Sequence, residues 1–208
     1  MCGIVGYFGN NDAVPLLIKG LKRLEYRGYD SAGLAIMSGD SFMVNKKAGK
    51  VAELESLVSE SGLTGSVGIG HTRWATHGEP SDLNAHPHTD YSGKFALIHN
   101  GIIENYAALK KLLEQKGVEF RTQTDTEVLV QLISTIYHEQ DTTFETAVTS
   151  ALEKVVGTYG IVVMCSDEPN QLIAARLGSP LVLGVGEGEY FIASDASPLV
   201  EYTRNVIY

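Results

Sequence analysis

The 208-residue chain is 44% apolar and 20% charged, with a formal net charge of -9. That length fits one sizeable domain, or at most two small ones, with a core that needs no disulfide or metal staple. An acidic chain without Lys/Arg clusters argues against nucleic acid and anionic membrane surfaces as partners, and two widely separated cysteines, Cys2 and Cys165, form no disulfide framework.

Ile4–Phe8, bounded by Gly3 and Gly9, reads as a buried strand. A helix follows over about Asp12–Glu25, with Val14, Leu17, Ile18, Leu21 and Leu24 at helical spacing and Pro15 in its first turn. Tyr26–Asp30 is a turn. Leu34–Met37 and Phe42–Asn45 form a predicted hairpin across Ser38–Asp40, and Val51–Val58 a short helix. Val67–His71 reads as a central strand. Thr72–Thr89 then runs without periodicity, and a long irregular segment inside a domain is usually functional. Phe95–His99 is a predicted strand ended by Asn100-Gly101, and Asn105–Lys116 a helix closed by Gly117. Thr124-Asp125-Thr126-Glu127 has the spacing of a capping box ahead of a helix carrying Val128, Leu129, Leu132, Ile133 and Ile136 on one face. A further helix covers Phe144–Val156. Strands are expected near Gly160–Cys165, Leu172–Ala175, Leu181–Val185 and Tyr190–Ala193, with Gly186–Gly188 as the last hairpin turn. The pattern breaks off within a possible strand at Asn205–Tyr208, as expected of a piece of a longer protein. Strand-rich order with paired helices implies an α+β fold with antiparallel sheets covered by helices. No apolar run approaches the ~18 residues needed to span a membrane, and no basic stretch leads into an apolar one at the N-terminus, so a cytoplasmic location is expected.

Cys2 directly follows the initiator Met. Removal of Met1 leaves a thiol beside its own α-amine, whose pKa near ~8 keeps part of it neutral and able to take the thiol proton. The competing reading is a small buried cysteine at a strand start. The context favours the first. Cys2-Gly3-Ile4-Val5-Gly6 resembles the start of the class II glutamine amidotransferases, a branch of the N-terminal nucleophile hydrolases. Leu24–Gly33, His71–Gly78, Asn84–His88, His99–Asn105 and Thr124–Glu127 resemble further signatures of that family. Together they are most similar to the glutaminase half of members that pass ammonia to fructose 6-phosphate on a further sugar-isomerase domain.

The resemblance implies a four-layer αββα sandwich, residues 1–208 as a glutaminase domain, L-glutamine as substrate, fructose 6-phosphate as acceptor through the further domain, no cofactor, and a homo-oligomeric full enzyme. It makes Cys2 the nucleophile and gives the oxyanion hole to the Asn100 side chain and the Gly101 N–H. Losing one such donor typically costs ~3 kcal/mol. Apart from the resemblance, Asn100-Gly101 reads as an ordinary turn. Selecting free glutamine also takes a cation for its carboxylate and an anion for its ammonium. Arg73 offers the planar fork and Asp125 the anion, although an acid in a first helical turn also suits the helix dipole. By resemblance, Trp74, Thr76 and His77 belong to a lid over the amino acid, with Arg27 and His86 in supporting roles.

His86-Pro87-His88 lacks companion ligands at metal spacing, so no metal is expected. Gly184–Gly188 precedes a strand and not a helix, which removes a phosphate-loop reading. Cys165 ends an apolar strand and is expected to be inert core. Two alternatives stay open: another class II amidotransferase with a different acceptor, and a non-catalytic glutamine-binding domain on the same fold.

Overall fold

Alternation of side chains along the strands builds this domain. In the computed structural model, which describes residues 2–74 and 78–208, most strands bury both faces. In chain order the elements are β1 (Gly3–Phe8), α1 (Ala13–Leu24), β2 (Ser31–Ser38), β3 (Ser41–Ala48), α2 (Val51–Ser61), β4 (Val67–Arg73), β5 (His88–Thr89), β6 (Phe95–Ile103), α3 (Tyr106–Gln115), α4 (Asp125–Gln140), α5 (Phe144–Leu152), β7 (Gly157–Cys165), β8 (Leu172–Leu177), β9 (Val182–Val185), β10 (Tyr190–Ala193) and β11 (Val206–Ile207). A seven-stranded antiparallel sheet has the order β11-β9-β10-β1-β4-β2-β3, and a four-stranded one the order β5-β6-β7-β8.

Three separate apolar layers show how the sheets stack. Val5, Tyr7, Leu34 and Ile36 face α1 and α2, meeting Leu17, Leu21 and Leu54. Their strand neighbours Ile4, Ala35 and Ile69 turn the other way and meet Ala96, Ile98, Val162 and Met164 of the second sheet. Phe95, Leu97, Ile161 and Val163 face the helices α3, α4 and α5. Period-two alternation thus assigns each strand residue to a layer, and the result is helix, sheet, sheet, helix. The expected αββα sandwich is the fold. Gly68 shows how closely α1 lies on its sheet, since a Cβ there would sit 2.5 Å from Ile36 Cδ1 and 3.0 Å from Leu17 Cδ1.

Each predicted element is present, and the departures have physical causes. Thr72 and Arg73 extend β4, and His88-Thr89 pairs with Leu97-Ala96, so both ends of the long irregular segment belong to sheets. Tyr26 lies in a short 3₁₀ turn, Glu25–Arg27. The helix expected to reach Val156 stops at Leu152. Asn105 draws the next residues away from helical pairing, donating to Lys154 O at 2.8 Å and accepting from Val156 N at 3.0 Å. Thr124 caps α4 through Glu127 N at 3.2 Å. The Glu127 carboxylate does not close the box; it accepts instead from Arg121 N (2.8 Å) and Thr122 N (2.7 Å), tying the preceding loop to the helix start. Among the described residues no helix is long and apolar enough to cross a membrane.

Candidate active site

Cys2 immediately precedes β1, and its parity with Ile4 turns it toward the space between the sheets. The Gly3–Thr72 register brings it beside Trp74. Its sulfur accepts from Trp74 N at 3.2 Å and lies 3.5 Å from Trp74 O. Burial pushes the thiol pKa up, against the Trp74 N–H and Arg73, which lower it. A thiol raised above its ordinary value carries its proton at neutral pH, so any attack by this sulfur would need a base to take that proton.

Asn100 and Gly101 come from the other sheet. They do not form a turn: β6 runs on to Ile103, pairing Asn100 with Gly160 and Gly101 with Tyr159. Gly101 has φ 133°, and a Cβ there would lie 2.1 Å from Thr158 O. Glycine is needed because two strands approach too closely for any side chain. Asn100 donates from Nδ2 to the Cys2 carbonyl at 3.1 Å, so one hydrogen bond joins the two sheets at Cys2.

A cavity of about 330 Å3 opens here, within the range of small-molecule sites. Arg73, the last residue of β4, is buried and its guanidinium is held by Glu79 O (3.3 Å) and Gly78 O (3.2 Å). Asp125 opens α4 and accepts from Ile103 N at 2.9 Å, which fixes its carboxylate at the strand end. Trp74 is half exposed and meets Tyr29 edge-on at 5.4 Å. Arg27 pairs with Asp195 at 2.8 Å. Cys2, Arg27, Arg73, Trp74, His86, Asn100, Gly101 and Asp125 all line this one cavity. Thr76 and His77 lie outside the described residues. A larger cavity of about 520 Å3, bordered by Lys46, Lys116 and Gln131, has no cysteine in its lining.

Of the four buried imidazoles in and behind the cavity wall, sequence reasoning assigns a role, a supporting one, to His86 alone. His71, His86, His88 and His99 are all at most 5% exposed. His86 Nε2 (2.9 Å) and His99 Nδ1 (3.1 Å) share Thr126 Oγ1, and His88 Nε2 meets Thr124 Oγ1 at 3.2 Å. Strand parity offered a signal, because His71 stands two residues before Arg73 on the same face. Burial pushes all four imidazole pKa values down, that of His71 to about 3. Among the described residues no group of three His, Cys, Asp or Glu is arranged to hold a metal ion. Cys165 is fully buried in the layer under α4, and burial lifts its thiol to about 11.

Comparison with known proteins identifies the family. A family model described as a glutamine amidotransferase domain matches residues 71–201. Two curated relatives, from Bacteroides thetaiotaomicron and Chlorobaculum tepidum, are each 58% identical over the whole chain and are called glutamine–fructose-6-phosphate aminotransferase [isomerizing]. The chain covers 34% of each, so it spans about a third of the length of the curated relatives it matches. Among solved structures, the glutamine phosphoribosylpyrophosphate amidotransferase of B. subtilis superposes with a TM-score of 0.84 at 30% identity, over 97% of this chain and 44% of that one. A class II glutamine aminotransferase domain protein from Silicibacter pomeroyi, at 16% identity and TM-score 0.62, shares the fold. With most of its length matched by the family model and its sheets superposing on a solved member, the chain belongs to the glutamine amidotransferase domain family.

Proposed function

We propose that the chain hydrolyses L-glutamine to glutamate and ammonia through a thioester on Cys2. The observation that carries this is the Asn100 amide hydrogen-bonded to the backbone of Cys2, inside a cavity that also holds one buried Arg and one buried Asp. With Met1 removed, the neutral Cys2 amine takes the thiol proton as sulfur attacks the side-chain amide carbon. The carbonyl oxygen becomes an oxyanion that accepts from Asn100 Nδ2–H and Gly101 N–H. The C–N bond then breaks, the protonated amine gives its proton to the leaving nitrogen, and ammonia departs. Water, deprotonated by the same amine, cleaves the thioester to glutamate and restores the thiol. Arg73 holds the α-carboxylate, Asp125 the α-ammonium, and Trp74, Thr76 and His77 cover the amino acid. Arg27 and His86 support the walls.

Asp125 has two duties that one substitution separates. In Asp125→Asn the side-chain oxygen still accepts from Ile103 N, but the charge is gone. We expect KM for glutamine to rise roughly 10- to 100-fold, the worth of one charge-assisted hydrogen bond, with the melting temperature unchanged. An unchanged KM places the ammonium elsewhere.

The relatives' name extends the reading. Residues 1–208 form the glutaminase domain of a longer, homo-oligomeric cytoplasmic enzyme, whose sugar-isomerase part uses the ammonia to convert fructose 6-phosphate to glucosamine 6-phosphate. Identity of 58% to these relatives, against 30% to the phosphoribosylpyrophosphate enzyme, favours this acceptor.

The test is glutamate release by chain that intact-mass measurement shows to be free of Met1, beside chain that retains it. We expect activity in the first alone, because an acylated amine cannot act as base. Inactivity of a folded, Met1-free chain overturns catalysis and favours a glutamine-binding module.

A further inference from the structure

We infer that His71 is a positioning residue that holds the Asn100 side-chain amide with its nitrogen toward the nucleophile, an inference that rests on the oxyanion role proposed for Asn100. His71 Nε2 lies 3.0 Å from His99 O and 3.0 Å from Asn100 Oδ1. The His99 carbonyl can only accept, so Nε2 must carry the hydrogen. The ring is then the Nε2–H tautomer, with an unprotonated Nδ1 that has no protein partner among the described residues. Protonating Nδ1 would create a cation in a fully buried site, and burial indeed takes the His71 pKa to about 3.

This fixed donor decides which way Asn100 faces. An asparagine amide has two orientations, related by a half-turn about χ2, that differ little in shape. A donor on one side demands oxygen there. Nδ2 is thereby turned to the Cys2 carbonyl at 3.1 Å, with a second N–H left for the cavity. Flipped, the amide would set N–H against N–H at His71 and aim oxygen at the Cys2 carbonyl. Asn100 would then repel the oxyanion it is proposed to hold. The imidazole itself is braced: it stacks on His86 at 4.2 Å and 26°, and His86 is tethered to Thr126 Oγ1 at 2.9 Å. His71 touches no substrate atom in this scheme; it acts through Asn100.

The test uses Met1-free chain and the variants His71→Leu, His71→Gln and Asn100→Ala, alone and combined. His71→Leu removes the donor, and His71→Gln supplies an amide N–H near the place of Nε2. We expect His71→Leu to lower kcat for glutamine hydrolysis roughly 10- to 100-fold, short of the ~10²–10³ that losing a whole oxyanion donor costs. KM should stay within about twofold, and His71→Gln should recover most of the rate. The rate of Cys2 alkylation by iodoacetamide, which needs no oxyanion hole, should not change. In the Asn100→Ala background His71→Leu should cost nothing more, because the residue it acts through is gone. An equal loss in that background, or a KM that rises with the fall in kcat, overturns the inference. If Asn100→Ala alone leaves kcat intact, the oxyanion reading fails instead. Imidazole ¹⁵N spectra of the unsubstituted chain test the geometry without any variant. His71 is expected to show a protonated Nε2 and a bare Nδ1 from pH 5 to 9, and the opposite tautomer overturns the inference.

Discussion

Glutamate release is expected to fall at least ~10⁴-fold in Cys2→Ala, the scale seen when a nucleophile is removed from a preorganised site. The substitution spares the rest of the machinery. Asn100 binds the backbone carbonyl of residue 2, which alanine keeps, and Arg73 and Asp125 draw on other elements. What is lost is the sulfur with its hydrogen bond to Trp74 N, worth about 1 kcal/mol of stability. The variant should therefore still bind glutamine, and Trp74, the single tryptophan and a wall of the cavity, gives the fluorescence signal to show it. A dead enzyme with near-normal glutamine affinity is the expected pair of results. Residual turnover near the wild-type rate would demand another nucleophile, and the one other cysteine is a poor candidate, fully buried with its thiol lifted to about 11.

The domain is also expected to lose stability steeply once the pH falls below about 6.5. His71, His86, His88 and His99 are buried neutral, and burial holds all four pKa values below that of an unfolded histidine. Below pH 6.5 the unfolded chain takes up protons that the folded chain refuses. Stability is therefore whole above that pH, and drains away as pH drops toward the folded values. For His71, with a folded value of about 3, the loss between pH 7 and pH 5 is about 2 kcal/mol. The other three act in the same direction, against a total that for most domains is only ~5–15 kcal/mol. Urea midpoints at pH 7, 6 and 5 check this. His71→Gln should show a shallower pH dependence, by about one proton. A midpoint that stays flat over that range would mean that these imidazoles titrate as they do in water.

Alternation and helical periodicity made the elements legible, because each strand residue has to choose a layer and each helix has to bury one stripe. The layer arrangement was less so. Residue patterns alone reached only an α+β class, since an inward face reads the same whether it meets a helix or a second sheet; the sandwich came from the family resemblance. Asn100-Gly101 looked like a turn because Asn-Gly usually is one, whereas here the glycine answers a contact with Thr158 O from a distant strand. Likewise, nothing local to Phe144–Val156 reveals that Asn105 will capture the end of that segment. The chemistry that a glutamine site demands singles out Cys2, Arg73 and Asp125, and the fold brings the three to one cavity. His71 was not legible in this way, because its partner stands 29 positions away on the opposing sheet.

Cys2 and the amide of Asn100 that faces it belong to different sheets, and what separates those sheets is one layer of side chains, among them Ile4, Ile69, Ile98 and Val162. The spacing of these two groups is thus a gauge of how tightly that layer is filled. A methyl group removed there, far from any substrate atom, would slacken the gap before it melted any helix. Turnover would register the loss while the spectroscopic signature of the fold still looked whole.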